Sequence, residues 1–329
     1  MQELDREMAL DVHARSIVVD THCDTLGRVI EGKRRLGEDS ELGQFDLPRA
    51  IRGGLTCEVM ATFYSPSRAG TPLAQTLEFI DTFYRELEAY PDLAMVATGA
   101  GDVLAAKEEG KVALVLGMEG AEGVGRSVSA LRMCYRLGLR VLGITWNRRN
   151  EAADGVGELR TGGGLTNFGV ELVEECNQLG ILIDVAHLAP AGVEDVLEIS
   201  EAPIVATHAN CHSLWSHPRN LTDAQLEMIA ERGGVVGATP VPPFLVADEA
   251  QADLSDLLDH IDHMVEVMGE DSVGLGLDFD GVGDMRVAGM EDVTKLPCLT
   301  ESLAERGFGT RTISKILGGN FLRVFREVL

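Results

Sequence analysis

A chain of 329 residues with 53 acidic against 28 basic side chains carries a formal charge of −25, which argues against the basic patches that nucleic acids and anionic membranes require. No run reaches the roughly 18 consecutive apolar residues of a membrane span, and the first seven residues, Met-Gln-Glu-Leu-Asp-Arg-Glu, lack the basic start and apolar segment of a secretory signal; a globular, cytoplasmic protein is expected. Six cysteines without a C-x-x-C pair form a poor disulfide framework and read as reduced thiols.

The first predicted strand covers residues 16–20 and leads into Asp20-Thr21-His22-Cys23-Asp24. Side chains alternate along a strand, so His22 and Asp24 face one way while Thr21 and Cys23 face the other. Imidazole and carboxylate are ligand types that Zn²⁺ accepts at catalytic sites, which keep a position open for water. Further short apolar strands are expected at 57–61, 112–117, 140–145, 181–185, 204–207, 234–238 and 273–277, separated by helix-length amphipathic stretches. The clearest helix repeats Leu254, Leu257, Leu258, Ile261, Met264, Val265 and Met268 on one face and stops at Gly269. Another opens on Thr222-Asp223-Ala224-Gln225, a capping-box pattern. Eight strands alternating with helices make either an open doubly wound sheet or a closed barrel. The count of eight and the lack of a dividing linker favour an α/β fold of one domain over residues 1–329, a (β/α)8 barrel. Gly155-Val156-Gly157 and Gly162-Gly163-Gly164 do not lie directly between a strand and a helix start, so they read as a mobile loop at the mouth rather than a phosphate cradle.

Catalytic residues of such barrels collect where the strands end. His22 and Asp24 follow the first predicted strand, Glu119 the third, His187 the fifth, His208 the sixth and Asp278 the eighth. Three histidines and three carboxylates exceed the needs of one Zn²⁺ but suit two metals with a bridging carboxylate and a bridging hydroxide, an arrangement that hydrolyses amides or esters. His260 and His263 lie three apart on a helix that the barrel places outside, and are expected at the surface. His212 and His217 flank Trp215 near the site, where a supporting or substrate contact is open.

These residues resemble the membrane (renal-type) dipeptidases, binuclear zinc peptidases allied to the amidohydrolases. The likeness runs through Asp20-Thr21-His22-Cys23-Asp24, Gln44-Phe45-Asp46-Leu47-Pro48-Arg49, Gly117-Met118-Glu119-Gly120, Asp184-Val185-Ala186-His187, Arg219-Asn220-Leu221, Gly276-Leu277-Asp278-Phe279-Asp280-Gly281 and the terminal Gly319-Asn320-Phe321. The resemblance implies that His22 and Asp24 hold one zinc, His187 and His208 a second, and that Glu119 bridges them. It also implies that Arg219 binds the substrate's C-terminal carboxylate, a task suited to a guanidinium fork. Asp278 would carry the proton from the attacking hydroxide to the leaving amine, with Asp280, two positions on, as the alternative. One departure stands out: Trp146 occupies the position of a family histidine thought to contact the scissile carbonyl. Indole can donate one hydrogen bond there but cannot titrate.

The expected function is therefore a zinc dipeptidase acting on small dipeptides, L-Xaa-D-Xaa among them, by attack of a metal-bridging hydroxide, with no nucleic-acid or membrane partner. A homodimer is left open. One rival is a related binuclear-metal amidohydrolase acting on N-acyl amino acids or lactams. The other, motivated by Trp146, is a barrel that keeps its metals but only binds.

Overall fold

The computed structural model describes residues 6–329. All eight predicted strands form, as β1 (Val19–Cys23), β2 (Cys57–Phe63), β4 (Val112–Glu119), β5 (Leu139–Gly143), β6 (Leu182–Asp184), β7 (Val205–Ala206), β8 (Val235–Ala238) and β9 (Val273–Leu275). They close into a parallel (β/α)8 barrel because β2 pairs with β1 on one side and β4 on the other. The intervening strand β3 (Ala94–Ala97) lies outside this ring. It pairs with the first half of β4, from Ala94↔Val112 to Ala97↔Val115, while β5 takes over at Leu116. Sequence reasoning misses β3 because its four residues hold one β-branched side chain, Val96, and no alternation.

The two faces of the barrel bury different partners. Leu114, Leu116, Leu142 and Ile183 pack outward in the same core as Leu172, Leu226 and Ile261 of the surrounding helices. Val19, Val59, Val115, Val205 and Val235 form a second core with Phe321 and Phe325. Those two rings come from the C-terminal helix Asn320–Val328, which closes the end of the barrel where strands begin. Asn320 Nδ2 donates to Val273 O at 2.8 Å, and Arg323 donates to Gly233 O at 2.8 Å. Gly274 on β9 leaves the space that the Phe321 ring fills. With one end plugged by apolar side chains, polar chemistry is left to the opposite mouth.

The helix Leu254–Met268 forms as expected, capped by Asp253 and ended at Gly269, and Thr222 and Gln225 make the reciprocal capping box. The expectation of a surface His260 fails. It is only 1% exposed, on the buried face with Leu257, Ile261 and Met264, and its Nδ1 accepts from Cys211 N at 3.1 Å. His263 turns instead to Asp223, 2.9 Å away. The glycine-rich segment after β5, expected to be mobile, is pinned by the bridges Ala153↔Leu165 and Gly155↔Leu188 and by Asp154, which accepts from Arg149 and Thr161. Among the described residues no helix is long and apolar enough to cross a membrane.

Because Phe321 is fully buried in the plug, Phe321→Ala is expected to cost ~3–5 kcal/mol of stability. Chemical denaturation should show the loss as a lower midpoint; an unchanged midpoint would mean that the helix merely rests against the barrel.

Candidate metal centre

β1 carries an irregularity where it meets the site. Asp20 opposes Glu58 but Cys23 opposes Met60, so three steps on β1 match two on β2. A bulge of this kind re-aims side chains. His22 and Asp24 do share a side, with Nε2 and Oδ2 3.7 Å apart, and Cys23 turns away to Thr25 Oγ1 at 3.1 Å. Strict alternation nevertheless fails here: Thr21, two on from the interior Val19, donates inward to Thr207 O at 2.7 Å, and its neighbour His22 turns to the same side. Asp24 stands at the N-cap of the helix Thr25–Ile30, yet its side chain makes no cap bond. An N-cap aspartate ordinarily spends its carboxylate on helix amides; this one is left for the mouth.

Glu119 ends β4, and His187, His208 and Asp278 come from the turns after β6, β7 and β9. All four are buried. Glu119 Oε1 lies 2.8 Å from His187 Nε2, 3.8 Å from His22 Nε2 and 3.9 Å from His208 Nε2. Asp278 Oδ1 is 4.0 Å from His22 Nε2. Two overlapping sets, His22–Glu119–His208 and His22–Asp24–Asp278, each bring their ligand atoms within 4.8 Å of one another. His187 and Asp278 reach these positions only through left-handed backbone, with φ of 67° and 52°, and Asp280 has φ 69°. These are the only non-glycine positive φ values among the described residues, and such strain tends to persist where the surroundings over-determine it, commonly at functional sites.

The far side of each of two rings is already engaged. His187 Nδ1 is 2.7 Å from Asn147 Oδ1, an acceptor, so Nδ1 holds the proton and Nε2 keeps its lone pair. Thr207 Oγ1 gives its proton to Asp184 Oδ2 at 2.6 Å and can then accept from His208 Nδ1 at 2.9 Å. The two Nε2 atoms therefore face each other, 2.9 Å apart, as paired acceptors, while the buried His22 Nε2 has no hydrogen-bond partner among the described residues. This donor set fits a cation: imidazole nitrogens and carboxylates oriented by outer hydrogen bonds are what divalent metals accept.

Electrostatics tells the same story. Burial works to lower the His22 imidazole, but Glu119, Asp24 and Asp278 outweigh it and raise it to about 10. Burial, followed by the charges of Arg219 and His22, depresses His187, and burial with the same neighbours depresses His208. Burial lifts the Glu119 carboxyl well above the usual range. It also raises Asp278 to about 7, with Asp24 adding to the rise and His22 opposing it. Burial thus disfavours the charged forms of Glu119 and Asp278 unless a cation stands close by.

Other expected residues have mixed fates. Asp280 is fully engaged: Arg34 and Thr25 donate to Oδ2, and Gln44 N donates to Oδ1 at 2.7 Å. Arg219 is buried, donates to His208 O at 2.9 Å, and lies over the Phe244 ring at 5.2 Å, leaving Nε without a partner among the described residues. His217 packs on the same Phe244 ring, 4.7 Å between centroids, and its Nδ1 accepts from Arg219 N. His212 is held by Ser216 at 3.0 Å. Trp146 stands edge-on to Phe63, 5.3 Å between centroids. Both line a cavity of about 400 Å³ that also takes in Glu119, His187, Phe244 and Asp278. Sequence reasoning assigned no role to Asn147 or Thr207, the residues that fix the two imidazoles. Asn147 stood beside Trp146 in the sequence, but an amide's partner cannot be read from spacing.

Comparison with known proteins agrees with this architecture. The family model described as membrane dipeptidase (peptidase family M19) matches residues 6–329. Dipeptidase tcpJ from Claviceps purpurea (strain 20.1) is 31% identical over 296 residues, covering 87% of this chain and 69% of that protein. The crystal structure of dipeptidase AC, a family M19 metallopeptidase, superposes with a TM-score of 0.88 at 33% identity, covering 95% of this chain and 98% of its own. A metallopeptidase from Rhodobacter sphaeroides, bound to a phosphinate mimic of the dipeptide L-Ala-D-Ala, gives 0.89 at 32% identity, with 95% of this chain and 100% of its own covered. A metal-competent cluster at the strand ends and a family match over nearly the whole chain lead to one assignment: this protein belongs to the membrane dipeptidase family and is a metallo-dipeptidase.

Proposed function

We propose that the chain is a zinc-dependent dipeptidase with two Zn²⁺ ions, accepting substrates that include L-Xaa-D-Xaa. His22 and Asp24 would hold one ion, His187 and His208 the other, and Glu119 would bridge them. The observation that carries this reading is the convergence of three imidazole Nε2 atoms on Glu119 Oε1, all within 3.9 Å. Held by these residues, a zinc pair would supply a hydroxide nucleophile at neutral pH and polarise the scissile carbonyl. The similarity to a metallopeptidase crystallised with an L-Ala-D-Ala mimic supports tolerance of a D-residue.

The remaining work falls to the chain itself. Asp278 is the proton carrier, because its carboxyl is free of protein donors among the described residues, lies 4.0 Å from His22 Nε2 and borders the cavity beside Glu119, where attacking and leaving groups would meet. Asp280 is the weaker candidate, since Arg34, Thr25 and Gln44 keep it bonded. Gly281 supports this role by its lack of a side chain: a Cβ there would collide with the carboxylates of Asp24 and Asp278. Arg219, with its unpartnered Nε, takes the substrate's C-terminal carboxylate. Trp146 forms a wall of the cavity and has one N–H to offer the developing oxyanion.

Three experiments test this reading. A chelator should abolish hydrolysis of L-L and L-D dipeptides, two equivalents of Zn²⁺ should restore it, and elemental analysis should find close to two zinc ions per chain. Turnover confined to N-acyl amino acids or lactams would transfer the assignment to the related amidohydrolases. Asp278→Asn should lower kcat by about 10²–10⁴-fold with zinc content unchanged, and a variant as active as the parent would remove Asp278 from the mechanism. Arg219→Ala should raise KM by roughly 10- to 100-fold, the loss of a charged hydrogen bond to substrate; a fall in kcat with KM unchanged would contradict its role.

A further inference from the structure

The cavity beside the metal-competent cluster also has lining residues that the chemistry above does not use. Phe63 and Phe79 give it an apolar wall alongside Trp146, and Arg28 and Arg68 stand among its lining residues. Both guanidiniums are partly open, with side-chain exposures of 33% and 25%. Their charges are balanced differently. Arg68 is paired with Glu78 at 2.7 Å and lies over the Phe79 ring at 5.2 Å. Arg28 donates only weakly to Asp280 O, at 3.3 Å, and its nearest carboxylate among the described residues is Glu31 at 3.7 Å. That carboxylate is already held by Lys33 at 2.7 Å. Of the two guanidiniums that line the cavity, Arg68 is thus neutralised by a close carboxylate, and Arg28 is the one whose nearest carboxylate is shared with a lysine.

A dipeptide has a fixed order of parts. If Arg219 takes the terminal carboxylate and the scissile carbonyl lies at Glu119 and His22, the N-terminal residue is left to occupy the cavity that Arg28 and Phe63 line. We infer that Arg28 is the anchor of a subsite for a carboxylate on the side chain of that N-terminal residue, so that the enzyme prefers Glu-Xaa and Asp-Xaa dipeptides. The aromatic wall accommodates the methylene stem, and the guanidinium fork matches the carboxylate at its end. The hydroxyls of Ser65 and Ser67, 2.8 Å apart and lining the same region, offer further donors. This inference rests on the dipeptidase reading.

The test compares kcat/KM for Glu-Ala with that for Gln-Ala, its neutral isostere, using the zinc-loaded full chain. The Glu/Gln ratio should be about fivefold in the parent, the scale of a partly exposed ion pair, and should fall close to one in Arg28→Gln. The fraction of active protein cancels within each ratio, so a poorly folded variant does not blur the result. Hydrolysis of both dipeptides with a parent ratio at or below one, or a ratio that Arg28→Gln leaves unchanged, overturns the subsite alone. Failure of the parent to hydrolyse any dipeptide overturns the dipeptidase reading and the subsite with it.

Discussion

Buried carboxylate needs positive charge close by, and the mouth of this barrel is built around that need. Glu119 and Asp278 are almost removed from solvent, with Asp24 beside them, and the side chains that face them are chiefly imidazoles. Two of those imidazoles are committed by Asn147 and Thr207 to presenting lone pairs rather than protons. Burying charges without partners costs several kcal/mol each, so the arrangement is unfavourable as a stability device. It becomes favourable once a divalent cation enters, because the same low dielectric that penalises bare carboxylates strengthens their hold on a metal.

The rest of the fold serves to keep these groups in place. A plug of Phe321 and Phe325 seals the opposite end, so the interior valines form a rigid floor beneath the polar layer. Near the mouth, Asp20 Oδ1 accepts Leu277 N at 2.7 Å and His22 N at 3.2 Å, tying β1 to the chain after β9 just before each delivers a site residue. Asp280 and Arg34 form a buried ion pair that Gln44 completes by donating to the carboxylate and accepting Asp280 N at 3.1 Å. Breaking such a pair from one side leaves an uncompensated charge, which explains how the turn holds two left-handed aspartates. The strain at residues 278 and 280 is maintained by neighbours up to about 250 positions away in sequence.

Much of this was legible in the chain. Strand identity survived because apolar β-branched runs are a direct signal, and the rim residues followed from it, since a barrel sends catalytic groups to one end. What sequence could not supply came from distance. Alternation predicts His22 beside Asp24 but misses the bulge that brings His22 to the same side as Thr21, because a bulge is set by pairing with β2 and leaves no mark on β1 alone. The helix carrying His260 was recognised, yet its depth was misjudged: the apolar stripe is wide enough to carry a histidine under cover, where Cys211 N supplies its bond. Asn147 and Thr207 were invisible as supports because short polar residues after strands are common and only a third dimension shows what they touch.

The acidic residues of this chain illustrate how structure separates roles that motifs leave mixed. Asp46, Asp184 and Asp280 all sit in motif segments, and all are saturated by protein donors: Asp46 by Arg49 and Ser40 N, Asp184 by Thr207 and Ala186 N, Asp280 by Arg34, Thr25 and Gln44. Glu58 faces Asp20 from β2, and burial, with the Asp20 charge beside it, pushes its carboxyl well above the ordinary carboxylate range. Asp24, Glu119 and Asp278 belong to neither class. They have no such donors among the described residues, they converge on three imidazoles, and they border a cavity large enough for a small ligand. A carboxylate whose lone pairs are filled by its own chain is bound into the fold; one that the chain surrounds with other ligand atoms and leaves unfilled stays open to a ligand. By that measure Asp278 and Asp280, two residues apart on the same strained turn, stand in opposite environments.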